Sequence, residues 1–208
     1  SDEKVIFPVT VQANGSAVYT IKVGIPQECP VKACGRYYPE RVDDVAWEND
    51  LTAFRAYGPA LQETGERAFG YDIWTKYNTT EPVVEARYEG ELNPDMKAKI
   101  AELGKTDPKA AQELYRSVSY HVDHGNGLDC YKVGPTLGGG TTALMAGDTI
   151  VYPYCYATQE ILDNGPLRFT VKLVYNPLVV KGDSTIIETR IITLDAGSYC
   201  NKTVVSYT

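Results

Sequence analysis

The sequence has little of what nucleic acids and membranes demand of a protein. Its 208 residues include 20 Lys and Arg against 27 Asp and Glu, which gives a net charge of −7, and no basic run stands out. This balance argues against a nucleic-acid partner, because phosphate backbones are bound by clustered lysines and arginines. No segment approaches the roughly 20 apolar residues of a membrane helix, so we expect no membrane span.

The chain also lacks the common nucleophile, nucleotide and zinc motifs. It has no GxSxG, and the stretch GPTLGGGTTAL lacks the GK[ST] ending of a phosphate loop. The five cysteines include no CxxC pair, which disfavours a zinc cluster. The segment CPVKAC, from Cys29 to Cys34, either closes a small disulfide loop or holds unpaired structural cysteines.

Strand patterns dominate the sequence. VIFPVTV and AVYTIKVGI, on either side of ANGS, predict a hairpin within the first 25 residues. After residue 140, apolar or alternating runs are separated by Gly, Pro, Asn or Asp. RFTVKLVY and TIIETRIITL alternate, with one apolar face and one face that carries Lys172, Glu188 and Arg190. The pattern predicts mainly antiparallel β-structure.

One region has helical spacing. Asn93 followed by Pro94, and Asp107 followed by Pro108, are typical helix starts. DMKAKIAEL and KAAQELYRSV continue with helical patterns after these starts. We therefore predict two short helices between residues 94 and 118.

The predicted fold is a single domain over residues 1–208, mainly β, an antiparallel β-sandwich with a small two-helix insertion near 94–118. The last strand-like segment, VVSYT, carries no polar tail or capping element. Because proteins generally protect sheet edges, this segment is either a harmless terminal strand or part of a longer protein.

Residues 47–61, WENDLTAFRAYGPAL, have the composition of a sugar-binding site. Trp47 offers an aromatic platform, Glu48 and Asn49 offer groups for hydroxyls, and Arg55 shares a strand face with Tyr57. The alternative is a strand with a buried tryptophan and a face of solvated charges.

Residues 120–140, YHVDHGNGLDCYKVGPTLGGG, contain both histidines of the chain. Histidine is the side chain most often used as an acid or base near neutral pH, so His121 and His124 are candidates for this role, and the neighbouring Tyr120 and Tyr131 are suited to donate or relay protons. This combination favours acid–base catalysis. A structural loop with hydrogen-bonded histidines is the alternative interpretation.

Two further roles follow for charged residues in the same segment. Lys132 and Arg55 together are suited to hold a carboxylate, while Asp123 and Asp129 are candidates for substrate binding. Either aspartate would also give the histidines a third metal ligand. We do not favour a divalent metal there, because no HExxH motif is present, and we expect no cofactor.

Three blocks, WENDLTAFRAYGPAL, YHVDHGNGLDCYKVGPTLGGG and ILDNGPLRFTVKLVY, resemble the DUF4861 family, which is uncharacterised and common in polysaccharide-degrading Bacteroidota. The resemblance implies a periplasmic or secreted protein with a supersandwich, similar to mutarotase-like and polysaccharide-lyase domains. It also implies that residues 1–208 are the N-terminal part of a longer protein, with a C-terminal portion as partner.

These observations predict a carbohydrate-active protein, a carbon–oxygen lyase that acts by β-elimination or dehydration on uronic-acid-containing oligosaccharides or polysaccharides. His121 or His124 is the expected base, and Tyr131 or Tyr120 the expected acid. The alternatives are a non-catalytic carbohydrate-binding module and a glycoside hydrolase with a carboxylate pair such as Glu48 and Asp123.

Overall fold

The computed structural model describes residues 5–25 and 28–208, and its strands and helices are short. The strands are β1 (Ala33–Tyr38), β2 (Asp44–Asn49), β3 (Thr52–Ala56), β4 (Tyr71–Thr75), β5 (Leu144–Ala146), β6 (Thr149–Val151), β7 (Tyr156–Asn164), β8 (Arg168–Tyr175), β9 (Leu178–Val180), β10 (Asp183–Ile186), β11 (Glu188–Asp195) and β12 (Lys202–Tyr207). The helices are α1 (Pro59–Glu63), α2 (Val84–Leu92), α3 (Pro94–Gly104) and α4 (Pro108–Val118).

Two four-stranded antiparallel sheets form the predicted sandwich. The first sheet has the order β1-β2-β3-β4, and the second has the order β12-β11-β8-β7. Two small hairpins, β5–β6 and β9–β10, accompany them. The mainly β, antiparallel sandwich predicted from the sequence is therefore confirmed.

Aromatic and aliphatic side chains fill the space between the two sheets. Trp47 of β2 lies nearly parallel to Phe54 of β3 and Phe169 of β8, with ring centroids 5.9 and 6.3 Å apart. Leu173 and Ile192 of the second sheet join the same cluster and are fully buried. Each such side chain contributes about 1.5–3 kcal/mol by leaving water, so this layer is a main source of stability.

Helices cover the opposite face of the first sheet. Tyr88 of α2 packs edge-on against Trp74 of β4, and Tyr120 stacks on the same indole at 5.0 Å. Every residue of β2 and β3 is buried as a result. The polar side chains of these two strands therefore lie inside the protein, and each needs a partner there.

The two predicted helices are present as α3 and α4, with the predicted caps. Asn93 and Asp107 each accept a hydrogen bond at 3.0 Å from the backbone N–H three residues on. Helix α2 was not predicted. Its capping residue, Val83, offers no side-chain oxygen, and the cap comes instead from distant Glu48, which accepts from the Val83 and Val84 N–H groups.

Two strand predictions are corrected. Residues 5–25 contain no strand: a turn with Gly15 N–H donating to Gln12 O (2.9 Å) is present, but the apolar side chains on both sides are exposed. Contrary to the prediction, Glu188 and Arg190 do not share a face with Lys172. They point between the sheets, where Arg190 is fully buried against the Tyr175 ring, 4.2 Å from its centroid.

Candidate functional site

A cleft of about 360 Å³ brings together half of the residues predicted to form a site. We call it the His121 cleft. Its lining includes six predicted residues: Arg55, Tyr57, His121, Asp129, Tyr131 and Lys132. Arg41, Glu66 and Cys130, which the sequence did not single out, line it as well.

The histidine loop, residues 119–134, is fixed to the edge of the first sheet along β4. Asp129 N–H donates to Tyr120 O at 2.8 Å, and Asp129 forms an isolated antiparallel bridge with Trp74 of β4. Gly127 permits this close approach, because its φ is 97° and a Cβ there would lie 2.1 Å from Thr75 O. The glycines after the second histidine therefore allow the loop to pack against β4.

His121 is held by Asp129 on one side of its ring. Its Nδ1 lies 3.1 Å from the backbone O of Asp129 and 3.5 Å from Oδ2 of the same residue. A carbonyl oxygen only accepts hydrogen bonds, so this geometry favours the tautomer with the proton on Nδ1 and with Nε2 as the acceptor. The side chain is 51% exposed. The ring thus offers a basic nitrogen to the cleft.

Arg55 forms the floor of the cleft as part of a buried ionic network. Its Nη2 bonds to Asp72 Oδ2 and, at 2.8 Å, to Asp129 Oδ2, and Asp44 Oδ2 lies 3.9 Å from its Nε. The Tyr57 hydroxyl lies 3.1 Å from both Arg55 Nη2 and Asp72 Oδ2. The predicted role of Arg55 as a clamp for a substrate carboxylate is therefore corrected, because three protein carboxylates already surround it.

Burial perturbs the carboxyl groups of this network. It raises the pKa of Asp44 to about 7, although Arg55 and Arg41 act in the opposite direction. Burial likewise raises the pKa of Asp129, again opposed by Arg55. Asp44 is fully buried, so the removal of its charged form from water outweighs two cations at more than 3 Å.

Asp44→Asn is expected to change how stability depends on pH. The pKa of Asp44 is about 7 in the folded protein, against 3.8 for the ordinary group. At a pH between these two values, unfolding therefore releases the proton of Asp44. The contribution of Asp44 to the free energy of unfolding therefore falls as pH rises through this range. Relative to the wild type, Asp44→Asn should gain stability from pH 4 to 7 in urea titrations.

Asp183→Asn is the matched control for this prediction. The hydroxyl and N–H of Thr185 lower the pKa of Asp183, so the charge of Asp183 stabilises the folded state above the unfolded pKa. Relative to the wild type, Asp183→Asn should therefore lose stability as pH rises, which is opposite to Asp44→Asn. Parallel pH profiles for Asp44→Asn and the wild type would contradict the assignment.

Two groups of the cleft, Lys132 and Tyr131, are free to meet a ligand, and the Arg41 guanidinium lies at the same cleft. Lys132 is exposed, and none of the described carboxylates pairs with it. Tyr131 is 39% exposed, and its hydroxyl bonds to no residue within 5–25 or 28–208. Arg41 is anchored by Nε to the Tyr120 hydroxyl at 3.1 Å and by Nη1 to Asp44 Oδ2 at 3.5 Å, and it lines the same cleft. Cations and a hydroxyl thus share one space with the His121 ring.

The predicted sugar platform lies elsewhere. Trp47 is fully buried between the sheets, and its Nε1 donates to Asn201 Oδ1 at 2.9 Å, so it offers no face to a sugar. Glu48 is buried, caps α2 and accepts from Lys76 Nζ at 2.8 Å. Asn49 holds the β2–β3 turn through Leu51 and Thr52 N–H. The substrate-binding roles predicted for these three residues are corrected: they hold the fold together.

The second histidine lines a different cleft. His124 Nε2 lies 3.0 Å from Ser119 O, and the residue borders a cleft of about 440 Å³ between α2, α4 and the histidine loop. Asp123 does not line the His121 cleft; it accepts from Gly125 N–H at 2.8 Å and from Tyr77 OH. Tyr120 is buried, its hydroxyl accepts from Arg41 Nε, and it does not line the His121 cleft, so it is not placed to act as an acid there.

No cluster of three or more His, Cys, Asp or Glu side chains within 5–25 and 28–208 is placed to hold a metal ion. The two histidines bond to different backbone carbonyls and border different clefts. All five cysteines are free, which includes both ends of CPVKAC. None of the described helices is long and apolar enough to cross a membrane.

The residues that the sequence did not reveal come from distant segments. Asp72 lies in β4 and Asp44 at the start of β2, where buried strands gave no sign that they meet Arg55. Arg41 follows an irregular proline- and glycine-rich stretch, and nothing in its spacing pointed to the histidines. The one available signal was the excess of charged residues inside strand-like runs.

Comparison with known proteins places the chain in a family without giving it an activity. It is 29% identical over 182 residues to the uncharacterized protein P7 of Formosa agariphila; this match covers 84% of the chain and 40% of that protein. The chain therefore spans about two fifths of the length of this relative. No solved structure matches. The domain of unknown function DUF4861 matches over residues 1–208, and the chain belongs to that family.

Proposed function

We propose that the His121 cleft is the active site of a carbon–oxygen lyase that cleaves uronic-acid-containing oligosaccharides by β-elimination. The observation that carries the proposal is the meeting of a histidine with an unoccupied Nε2, an unbonded tyrosine hydroxyl and two cations around one cleft. These are the groups that such an elimination requires: a base, an acid and a counter-charge for a carboxylate.

Each group has one role in the proposed reaction. Lys132 and Arg41 hold the uronate carboxylate and stabilise the negative charge that spreads onto it. His121 Nε2 takes the proton from the carbon next to that carboxylate. The electron pair forms a carbon–carbon double bond as the bond to the leaving sugar oxygen breaks. The Tyr131 hydroxyl gives that oxygen its proton, and solvent restores both groups.

A non-catalytic carbohydrate-binding module is the second candidate, and less supports it. Such a module needs an open aromatic shelf, whereas Trp47 is buried and Tyr131 is the exposed aromatic residue of the cleft. A glycoside hydrolase that uses Glu48 and Asp123 as its carboxylate pair is supported less than the binding module. The Glu48 carboxylate is bonded to α2 and Lys76, and Asp123 is bonded within its own loop.

The setting of this activity is part of the proposal. Oligosaccharides of this kind are met outside the cytoplasm, so we place the protein in the periplasm or among secreted proteins. In the part of the chain that the structure describes, β12 has β11 on one side and no strand on the other. A C-terminal portion of the same protein that pairs with this edge would protect it, consistent with the greater length of the relative.

The first experiment is an incubation of the protein with a panel of uronic-acid oligosaccharides. Elimination creates a double bond conjugated to the carboxylate, so the product is followed by its ultraviolet absorbance. Neutral oligosaccharides of matched length serve as controls, and we expect absorbance to rise with the uronates alone. A flat trace with every uronate, together with binding of the same sugars, would favour the module instead.

Lys132→Ala is expected to raise KM for the uronate by about tenfold to a hundredfold, because one charge-assisted hydrogen bond to the carboxylate is lost. The side chain is exposed, so folding should not change. Lys109→Ala, which removes an exposed lysine from α4, is the matched control and should leave KM as it is. Equal KM values for the two variants would remove Lys132 from the site.

A further inference from the structure

We infer that Asp129 is a positioning residue that fixes His121 in one tautomer and turns its Nε2 into the cleft. Both the backbone carbonyl and the carboxylate of Asp129 face the same ring nitrogen, Nδ1, at 3.1 and 3.5 Å. The role of Nε2 as a base rests on the proposed function, whereas the paired geometry does not.

Asp129 is well placed to act in this way because it is itself immobilised. It is 4% exposed, its backbone bridges to Trp74, and its N–H donates to Tyr120 O. Arg55 Nη2 bonds to Oδ2 at 2.8 Å, the same oxygen that lies nearest to the histidine. Arg55 thereby balances a carboxylate that would otherwise be an isolated buried charge.

The orientation of the ring follows from these constraints. The backbone N–H of His121 donates to Ser119 Oγ. The imidazole ring lies against the ring of Tyr120, with 4.6 Å between the centroids. With Nδ1 bound to Asp129, only the Nε2 edge remains for a ligand. The charge of Asp129 also stabilises the imidazolium that forms when Nε2 takes a proton.

His124 gives an internal comparison. Its Nε2 lies 3.0 Å from Ser119 O, an acceptor, so its proton sits on Nε2. The two histidines of the chain are therefore expected in opposite neutral tautomers. Since the protein has only these two, their ring resonances are distinguished by a single variant, His124→Ala.

The test is a ¹H–¹⁵N spectrum of the histidine rings of the free protein at neutral to mildly alkaline pH. We expect protonated Nδ1 in His121 and protonated Nε2 in His124. The spectrum is recorded on the wild type, and His124→Ala serves only to assign the signals. Protonated Nε2 in His121 would overturn the inference outright.

Asp129→Asn then tests the carboxylate. The carboxylate charge 3.5 Å from Nδ1 is lost while the hydrogen bond to the backbone carbonyl stays, so the Nδ1–H proton should move upfield and the tautomer should persist. In the elimination assay kcat should fall by about tenfold to a hundredfold with little change in KM. An unchanged Nδ1–H signal would show that the Asp129 carboxylate pairs with Arg55 and has no effect on the His121 ring.

Asp72→Asn is the control for a purely structural effect. It removes another carboxylate from Arg55 but does not touch His121, so stability should fall without any shift of the His121 resonances. Failures of the two proposals are distinguishable. The expected tautomers without elimination would refute the proposed function alone, and elimination with the other His121 tautomer would refute the positioning role alone.

Discussion

Arg55→Met is expected to destabilise the protein by about 3–5 kcal/mol, a large part of the free energy of unfolding of an ordinary domain. Arg55 is 2% exposed and is the shared partner of Asp72 and Asp129, with Asp44 nearby. Methionine keeps much of the side-chain volume but leaves these carboxyl groups without their central cation.

The cost arises because the carboxylates stay behind. Replacement of a whole buried ion network by apolar residues is often nearly neutral, whereas removal of one partner leaves an uncompensated charge in a poorly solvated place. The remaining network must take up protons or admit water. We therefore expect the loss in stability to be largest at alkaline pH, where the carboxyl groups are ionised.

Arg168→Met is the matched control. Arg168 of β8 pairs with Asp195 at 2.5 Å, but the two side chains are 33% and 47% exposed, and such exposed pairs contribute less than about 1 kcal/mol. Urea unfolding of both variants measures the difference. If Arg55→Met accumulates only as insoluble protein, Arg55→Lys replaces it in the comparison with Arg168→Met. Lysine keeps the positive charge but lacks the several N–H donors of the guanidinium group. Equal stability of the Arg55 and Arg168 variants would refute the central role of the network.

His121→Ala is expected to lower kcat for uronate elimination by about a hundredfold to ten-thousandfold, the usual contribution of a positioned acid or base. The proton on the carbon next to the carboxylate would then have to pass to water. KM should change less, because in the proposed site Lys132 and Arg41 bind the carboxylate, and His121 contributes mainly to the transition state.

His124→Ala separates a catalytic from a structural histidine. The two side chains lie three positions apart in the chain, are both exposed and border different clefts. His124→Ala should keep a kcat close to that of the wild type. Equal loss in both variants would point to the loop as a whole, and equal retention would remove the histidine from the proposed mechanism.

The class of fold and two of its helices were readable from the sequence because their causes are local. Alternation of apolar and polar residues makes a strand wherever it occurs, and Asn93–Pro94 and Asp107–Pro108 carry their own caps. Helix α2 was not readable, since its cap is the side chain of Glu48, 35 positions before Val83. The hairpin predicted for the first 25 residues has its local turn, but a turn alone does not pair strands without a surface on which to pack.

The candidate site was likewise predictable only in part from the sequence. The order of residues in the chain already shows that both histidines, Tyr131 and Lys132 lie in one short segment, and a short loop keeps such residues near one another. The folded structure is needed to see which histidine faces Asp129, that Trp47 lies in the core, and that Arg55 is surrounded by carboxylates from β2, β4 and the histidine loop. The reason is physical: whether a charged side chain binds a ligand or holds the fold depends on its neighbours across the sheets, and those contacts join residues far apart in the chain.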